Sequence, residues 1–369
     1  MESKDDQYYM KKTLQLAKKG EGYTSPNPMV GALVVKNGEI IGKGYHKKAG
    51  EPHAEVYALD QAGNDAEGAT LYVNLEPCCH FGKTPACSLK VIKSGIKRLV
   101  VAMEDPNPLV AGEGIRQLEQ AGIETKVGVL EKEAEILNEV FIKYITENIP
   151  FIYLKSGQTI DGFLATSTGD SRWVTNKKAR LYGHKLRHKV DAILVGVNTV
   201  LNDNPRLTTR LVDKTGIDPI RVVLDSKLKT PIDADIINQE SESKTIIATT
   251  SKYNKDKYNK LQTKDNLEIT IVEQDKKGRI NLVKLLENLA KKEITSILVE
   301  GGGTINYSFL HKGLADKLYA FIAPKLLGGN DGIYAYNGNG VKKMNNAFQL
   351  KDIQFEMTGD NILIIGEIE

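Results

Sequence analysis

The chain has 369 residues, of which 41% are hydrophobic and 26% are charged, and its formal net charge is +3. One compact core rarely spans so long a chain, so two domains are expected. The near balance of charge excludes the global basic field that gathers nucleic acid or anionic membrane, so any phosphate site must be local. Because no segment approaches the roughly 20 apolar residues of a membrane span and the polar start lacks a signal-peptide core, we expect a cytoplasmic protein.

The first part of the chain alternates predicted helices with predicted strands. An apolar period near 3.6 residues predicts an opening helix from Asp5 to about Gly20. Two β-rich runs joined by Asn37-Gly38 predict a hairpin, because this dipeptide favours the tight turn that matches strand twist. The patterns then predict a helix over 53–62, a strand over 69–75, a helix over 87–94, a strand over 96–102, a helix over 114–121, a strand over 124–127 and a helix over 131–147. Asn148-Ile149-Pro150 is the expected boundary, which divides the chain into domains 1–147 and 148–369.

The second part begins with an apolar strand at Phe151 and repeats the alternation. Further strands are predicted over 192–197, 220–225, 244–250, 267–272 and 296–300, with helices notably over 177–188 and 282–292. This order indicates a mostly parallel sheet with helices on its faces. The stretches 318–322 and 361–367 are predicted as antiparallel edge strands, and the lysine-rich segment 251–266 as a solvated loop and helix face.

A candidate metal site lies in the first domain. All three cysteines of the chain fall within one ten-residue stretch, which favours metal binding over a disulfide framework. His53, Cys78 and Cys87 would supply the three protein ligands of a hydrolytic zinc site, whose fourth position carries water. Glu55, two residues after the histidine, would take the water's proton and deliver it to the ring and the leaving ammonia. The order H-x-E and then P-C is typical of zinc nucleobase deaminases, here with the second cysteine displaced to Cys87.

Two alternatives to this site stay open. A closed structural zinc could hold His53, Cys78, Cys87 and either Cys79 or His80, with no catalysis. Cys79 could also replace Cys78 as the ligand. The carboxyl group of Glu55 favours a catalytic site, because a closed zinc site needs no acid.

Five motifs of the first domain resemble one enzyme family. They are SPNPMVG (25–31), GKGYH (42–46), AGEPHAE (49–55), LEPCCHFGKTPAC (75–87) and DPNPLVAG (105–112). Together they resemble the amino-terminal domain of the bifunctional riboflavin biosynthesis deaminase-reductases. The resemblance implies a cytidine-deaminase-like α/β/α fold, zinc on His53, Cys78 and Cys87, and Glu55 as proton donor. It also implies substrate contacts at Asn27, His46, His80, Lys83 and Thr84.

A glycine turn marks the second domain. The predicted strand SILVE (296–300) runs into Gly301-Gly302-Gly303-Thr304, and a helix is predicted to follow. Glycines at such a turn let backbone N–H groups approach a phosphate, and the helix amino end adds partial positive charge. A tight turn without a ligand would need the same glycines, so the pattern alone leaves both interpretations open.

Six further motifs resemble the reductase half of the same family. They are KSGQTIDG (155–162), GDSRWVT (169–175), LR (186–187), GVNTVLNDNPRLTTR (196–210), LDS (224–226) and EGGGTINYSFL (300–310). The resemblance implies a dihydrofolate-reductase-like α/β fold and the cofactor NADPH. Implied cofactor contacts are Gly157, Trp173, Thr199, Asp203, Ser226, Gly302, Gly303, Thr304, Ile305, Asn306, Tyr307 and Ser308. Implied substrate contacts are Lys155, Ser171, Arg187, Leu207, Arg210 and Glu300.

Simple chemistry agrees with several of these implied roles. Arg187 and Arg210 could clamp a ribose 5-phosphate, and Trp173, the sole tryptophan, could offer a flat wall to nicotinamide. Hydride transfer itself belongs to the cofactor.

The predicted function is therefore a two-step enzyme. The first domain would deaminate 2,5-diamino-6-ribosylamino-4(3H)-pyrimidinone 5′-phosphate, and the second would reduce the ribosyl side chain to ribityl with NADPH. We expect a small-molecule substrate, no nucleic-acid or membrane partner, and a homo-oligomer, either a dimer or a tetramer. The alternatives are a nucleic-acid editing deaminase with an appended RNA-binding domain, and a zinc-stapled nucleotide sensor without catalysis.

Overall fold

The computed structural model describes residues 4–79, 86–107, 111–212 and 216–369. The chain forms two compact units, Met1–Asn148 and Ile149–Glu369. None of the helices within the described ranges combines the length and apolarity that crossing a bilayer demands.

In the first unit the described residues build a five-stranded sheet between two layers of helices. The elements are α1 (Lys4–Ala17), β1 (Gly31–Lys36), β2 (Glu39–Tyr45), α2 (Ala54–Ala62), β3 (Thr70–Val73), α3 (Cys87–Lys93), β4 (Arg98–Val101), α4 (Glu113–Gln120), β5 (Glu124–Lys126), α5 (Glu131–Leu137) and α6 (Glu139–Glu147). The strand order is β2-β1-β3-β4-β5, with β1 antiparallel to both neighbours and β3, β4 and β5 parallel. One face of the sheet packs on α2, α3 and α4, and the other on α1, α5 and α6.

The hairpin of β1 and β2 turns where the sequence predicts. Asn37 and Gly38 have φ angles of 50° and 81°, the left-handed conformations that a two-residue hairpin turn requires. The prediction is confirmed.

The helix predicted over 131–147 is instead two helices, α5 and α6, which meet at Asn138. Asn138 is buried, and its side chain serves another segment. Its Oδ1 accepts a hydrogen bond from the backbone N–H of Met29 at 2.8 Å, and its Nδ2 donates to the Met29 carbonyl at 3.2 Å. The helix breaks where an asparagine holds the loop before β1, a long-range contact that apolar periodicity does not encode.

In the second unit the described residues form a larger α/β sheet. Its elements are β6 (Phe151–Thr159), β7 (Phe163–Ala165), α7 (Lys177–Lys189), β8 (Ala192–Gly196), α8 (Val197–Asp203), β9 (Ile220–Leu224), α9 (Asp235–Asn238), β10 (Thr245–Thr249), α10 (Lys255–Gln262), β11 (Leu267–Ile271), α11 (Leu282–Ala290), β12 (Ser296–Val299), α12 (Gly303–His311), β13 (Lys317–Ala323), β14 (Ile333–Tyr334), β15 (Leu350–Thr358) and β16 (Asn361–Ile368). The strand order is β11-β10-β9-β8-β12-β6-β13-β16-β15, and β7 pairs with β14 separately.

This sheet is parallel from β11 to β13, as predicted, and antiparallel from β13 to β15. The predicted position of the last strands is wrong in part. β13 pairs in parallel with β6 and antiparallel with β16, and β16 lies between β13 and β15, so neither is an edge strand. The edge is β15, for which no strand was predicted. Its sequence alternates apolar with polar residues, a strand signal, but the apolar side chains are exposed and form no part of the buried core.

Candidate functional site

Three metal-ligating side chains meet in the first unit. His53 directly precedes α2, Cys87 opens α3, and Cys78 lies in the segment after β3. Their ligand atoms lie within 4.8 Å of one another. His53 Nδ1 is 3.5 Å from Cys78 Sγ and 3.2 Å from Cys87 Sγ. Because ligands at about 2.0 to 2.3 Å around a tetrahedral zinc lie about 3.5 Å apart, these residues fit Zn²⁺ with one position left open.

Glu55 lies beside this group, in the first turn of α2. Its side chain is only 3% exposed, and its Oε2 has no hydrogen-bond partner among the described residues. Burial raises the pKa of Glu55 to about 7, although the neighbouring His53 opposes the shift. A carboxyl group with such a pKa can both accept and donate a proton near neutral pH.

A glycine in β2 lets α2 lie close enough to place these side chains. A Cβ at Gly44 would overlap the carbonyl oxygen of Ala54, the first residue of α2. Only glycine allows this approach of helix to strand. The contact fixes the start of α2, and therefore the positions of His53 and Glu55.

The cysteine grouped with His53 and Cys87 among the described residues is Cys78, the ligand of the main prediction, and not the alternative Cys79. The hydrogen bond with Cys87 and the contact with His53 lower the pKa of the Cys78 thiol, against the effect of burial. His80, the other candidate for a fourth ligand, lies outside the described residues, as do the predicted substrate contacts Lys83 and Thr84.

Two further predicted residues, Asn27 and His46, adjoin the metal-ligating group. Asn27 Nδ2 is 3.1 Å from His46 Nε2, and His46 Nδ1 is 3.2 Å from the carbonyl oxygen of Pro52. Because a carbonyl only accepts, His46 carries its proton on Nδ1 and accepts at Nε2 from the Asn27 amide. Burial lowers the pKa of His46, which favours this neutral form. The His46 ring meets the His53 ring edge to face, with centroids 5.4 Å apart.

The second unit contains a cavity of about 840 Å³ at the carboxyl ends of its parallel strands. Most predicted cofactor and substrate contacts line it: Lys155, Gly157, Ser171, Trp173, Arg187, Thr199, Asp203, Arg210, Ser226, Glu300, Gly302, Gly303, Thr304, Ile305 and Ser308. Three predicted contacts do not. Leu207 is buried in the apolar core, Asn306 donates from its buried side chain to the Ala335 carbonyl, and the Tyr307 hydroxyl donates to the Asn339 carbonyl.

The predicted phosphate clamp of Arg187 and Arg210 has a different geometry. Arg187 donates to both carboxylate oxygens of Glu300, at 3.0 and 2.9 Å, and to the carbonyl of Thr208 at 3.0 Å. Lys155 Nζ lies 3.7 Å from the same carboxylate. Although burial opposes it, Arg187 and Lys155 lower the pKa of Glu300 to about 2. Arg187 is therefore committed mainly to Glu300, and Arg210 is the more available partner for an anion.

The Trp173 side chain lines the cavity but is exposed rather than buried. It is 61% exposed, and the guanidinium of Arg180 lies 4.2 Å from its ring centroid. Sequence reasoning missed Arg180 and also His184, which lines the cavity one helical turn before Arg187. Burial, together with Arg187 and Arg210, lowers the pKa of His184 to about 4, so this histidine is neutral at pH 7. The spacing of three residues between His184 and Arg187 could have identified His184, because residues three apart lie on the same face of a helix.

The three glycines before α12 have three different surroundings. A Cβ at Gly301 would press on Ile305, and one at Gly303 would overlap the carbonyl oxygen of Tyr334. A Cβ at Gly302 would meet no heavy atom within 4 Å. Gly302 is the N-cap of α12 and lines the cavity, so it is the glycine whose space a ligand could use.

Two family models match the two units. The cytidine and deoxycytidylate deaminase zinc-binding region matches residues 3–103, and the RibD C-terminal domain matches residues 150–364. The second match includes every strand of the large sheet except the last residues of β16.

Curated relatives and solved structures match the chain over almost its whole length. The chain is 48% identical to the riboflavin biosynthesis protein RibD of Aquifex aeolicus, over 97% of both chains. It is 41% identical to that of Escherichia coli, over 97% of this chain and 98% of the relative. Among solved structures it is similar to RibD of Acinetobacter baumannii, with 35% identity, a TM-score of 0.89 and 99% of both chains covered. A deaminase/reductase of Thermotoga maritima, described as acting on diaminohydroxyphosphoribosylaminopyrimidine and 5-amino-6-(5-phosphoribosylamino)uracil, has 36% identity, a TM-score of 0.84 and 99% of both chains covered.

Proposed function

The chain belongs to the RibD family of riboflavin biosynthesis enzymes, and from this premise we propose how its residues divide the work. It is a bifunctional enzyme, a deaminase that hydrolyses and a reductase that oxidises NADPH. A cytidine-deaminase-like α/β/α unit is followed by an α/β reductase unit, the predicted fold class. We assign residues 1–147 to the deaminase domain and 148–369 to the reductase domain. The alternative of an editing deaminase with an RNA-binding domain is not favoured, because the second half matches a reductase.

In the first domain we assign zinc to His53, Cys78 and Cys87. When bound there, zinc supplies a water acidic enough to attack the pyrimidine ring at neutral pH. Glu55 holds and moves the protons. Its Oε2, which has no hydrogen-bond partner among the described residues, would take one proton of that water and give it to the ring nitrogen, and then carry the second proton of the same oxygen to the amino group that leaves as ammonia. The product is 5-amino-6-(5-phosphoribosylamino)uracil, formed from 2,5-diamino-6-ribosylamino-4(3H)-pyrimidinone 5′-phosphate.

The pyrimidine would be oriented by Asn27. Because its amide N–H is directed to His46, the carbonyl oxygen of Asn27 remains to accept a hydrogen bond from the substrate. His46 then acts as the residue that sets the orientation of this amide. His80, Lys83 and Thr84 complete the predicted contacts, with Lys83 pairing with the phosphate as a point charge.

In the second domain the charge of the cavity favours anionic ligands. Six lysines and arginines line it, against three aspartates and glutamates. We propose that the N–H groups at Gly302, Gly303 and Thr304 hold a phosphate of NADPH at the amino end of α12. NADPH supplies the hydride that reduces the opened ribose to ribityl. Arg210 and Lys155 would hold the ribose phosphate and hydroxyl groups, and Glu300 would fix Lys155 and Arg187.

We propose a homo-oligomer, dimer or tetramer, that uses the apolar face of edge strand β15. Ile353, Phe355 and Met357 alternate along this strand and are 47%, 69% and 67% exposed. Contiguous exposed apolar side chains on an unpaired edge strand favour pairing with a second copy. The cytoplasmic location stays a prediction from the sequence.

The observation that carries the deaminase assignment is the buried Glu55 carboxyl beside the His53, Cys78 and Cys87 group, whose Oε2 has no hydrogen-bond partner among the described residues. Its test is Glu55→Gln, which keeps the ligands and removes the group that moves the proton. The variant should retain zinc by metal analysis, lose ammonia release, and still oxidise NADPH when given the deaminated substrate. Loss of both activities in a folded variant would contradict the assignment of separate sites.

A further inference from the structure

Glu76 is a buried carboxylate that the catalytic assignments leave without a role. It is 5% exposed and accepts four backbone hydrogen bonds. Its Oε2 accepts from the N–H groups of Asp105 and Gly112, both at 3.0 Å, and its Oε1 from those of Gly114 at 2.8 Å and Ile115 at 3.3 Å. No lysine or arginine pairs with it among the described residues, so backbone dipoles alone compensate its charge.

Two of the four donors belong to α4, which lies against the segment that carries Cys78. Gly114 and Ile115 lie in the first turn of α4, where the N–H groups have no partner within the helix and a negative charge is favourable. A Cβ at Gly114 would overlap the carbonyl oxygen of Pro77, so this turn lies directly against the residue before Cys78. Glu76 therefore joins α4 to the backbone that carries one thiolate.

α4 also reaches the segment that carries the second thiolate. The Ser88 hydroxyl, one residue after Cys87, donates to Gln117 Oε1 of α4 at 3.0 Å. The backbone N–H of Ser88 donates to the Cys78 carbonyl at 3.1 Å, and the N–H of Cys87 donates to Cys78 Sγ at 3.3 Å. The segments that carry both cysteines are thus bonded to α4, the first through Glu76 and the second through Ser88.

We propose that Glu76 is a positioning residue of the metal site. Its carboxylate joins the segment bearing Cys78 to α4 and to the backbone at Asp105 and Gly112. This connection keeps the two thiolates at the separation that a tetrahedral metal requires. A carboxylate is needed because all four partners are N–H donors, and an amide would turn donors of its own toward at least two of them. The inference rests on the proposed zinc site and adds a residue outside its ligands.

The test compares metal binding in the full chain and in Glu76→Gln. Loss of an outer partner of a metal ligand typically lowers metal affinity or activity about 10- to 100-fold. We expect a zinc affinity lower by that factor in chelator competition. The thiolate-to-cobalt absorption of the Co²⁺-loaded variant should also change, and ammonia release should fall. NADPH oxidation with the deaminated substrate should match the parent. Glu76→Asp keeps the charge but reaches fewer of the four donors, so it should give intermediate values.

Asp6→Asn is the matched control. Asp6 is also a buried carboxylate of the first unit, but its hydrogen bonds go to Arg98, Lys126 and Tyr72, and among the described residues it bonds none of His53, Cys78 and Cys87. This variant should lose stability yet keep the parent's zinc affinity and Co²⁺ spectrum. Parent-like zinc affinity in Glu76→Gln, or an equal loss in Asp6→Asn, would overturn the proposal.

This design distinguishes failure of the positioning role of Glu76 from failure of the proposed deaminase. If Glu76→Gln does not fold, zinc affinity in Glu76→Asp decides, and a parent-like value there refutes the positioning role. If the parent itself binds no zinc or releases no ammonia, the proposed deaminase fails. A parent that does both, beside variants that equal it, refutes only the role of Glu76.

Discussion

Replacement of Gly302 by valine should weaken NADPH binding without disturbing the fold. Gly302 has φ −66° and ψ 166°, a conformation that any residue adopts, and a Cβ there meets no protein atom within 4 Å. The cost to the protein is the poorer helix cap, about 1 kcal/mol. The added side chain would instead occupy the space in which a phosphate approaches the first N–H groups of α12.

The expected loss of affinity follows from these contacts. Hydrogen bonds that involve a charged group contribute about 1.5 to 3 kcal/mol each. Displacing the phosphate from one such N–H should raise the Kd for NADPH about 10- to 100-fold. Loss of two contacts would exceed that range, so the value also indicates how many N–H groups the phosphate uses.

Gly303→Ala is the contrasting variant. Its Cβ would overlap the carbonyl oxygen of Tyr334, a backbone atom that cannot rotate away. Such overpacking costs about 1 to 3 kcal/mol or more, so this variant should lose stability and NADPH affinity together. Only Gly302 separates the two effects.

The assay is a fluorescence titration with NADPH, beside thermal unfolding of the same samples. Ammonia release serves as the control that the first domain is intact. The reasoning is refuted if Gly302→Val binds NADPH as tightly as the parent, since the turn would then be a tight connection and the phosphate would lie elsewhere in the cavity.

Three further predictions concern other parts of the chain. Lys83→Ala should raise KM for deamination about 10- to 100-fold, the scale of one charge-assisted hydrogen bond. An unchanged KM would show that Lys83 does not pair with the substrate phosphate. Asp6→Asn should lower the free energy of unfolding by about 2 to 4 kcal/mol at pH 7, measured by urea titration. Because the hydrogen bonds from Arg98 lower the pKa of Asp6, its contribution is present above about pH 4 and is lost below, so parent and variant should converge in acid. Phe355→Glu should shift the particle toward the monomer in light scattering, and an unchanged mass would exclude β15 as the contact.

Local signals in the sequence predicted most of the fold. Asn37-Gly38 predicted its hairpin because the turn conformation depends on two residues alone. The His53, Cys78 and Cys87 group was predictable because the spacing of metal ligands reflects a chemical requirement.

The errors arose where distant residues decide. The break at Asn138 exists to hold Met29, and the commitment of Arg187 to Glu300 depends on two elements more than a hundred residues apart. Neither contact produces a periodic pattern of apolar residues in the sequence, so periodicity could not predict it. Glu76 was visible in the sequence only as the residue before Pro77, with no sign of its four backbone donors.

The most direct test of the two-step function is to incubate the purified protein with the diaminopyrimidinone ribose phosphate, with and without NADPH, and to identify the products by mass spectrometry. Without NADPH the product should carry oxygen in place of the 2-amino group and nothing further. With NADPH that product should gain two hydrogens, with one NADPH consumed for each ammonia released. No ammonia release with zinc present, or a deaminated product that NADPH never reduces, would contradict the account.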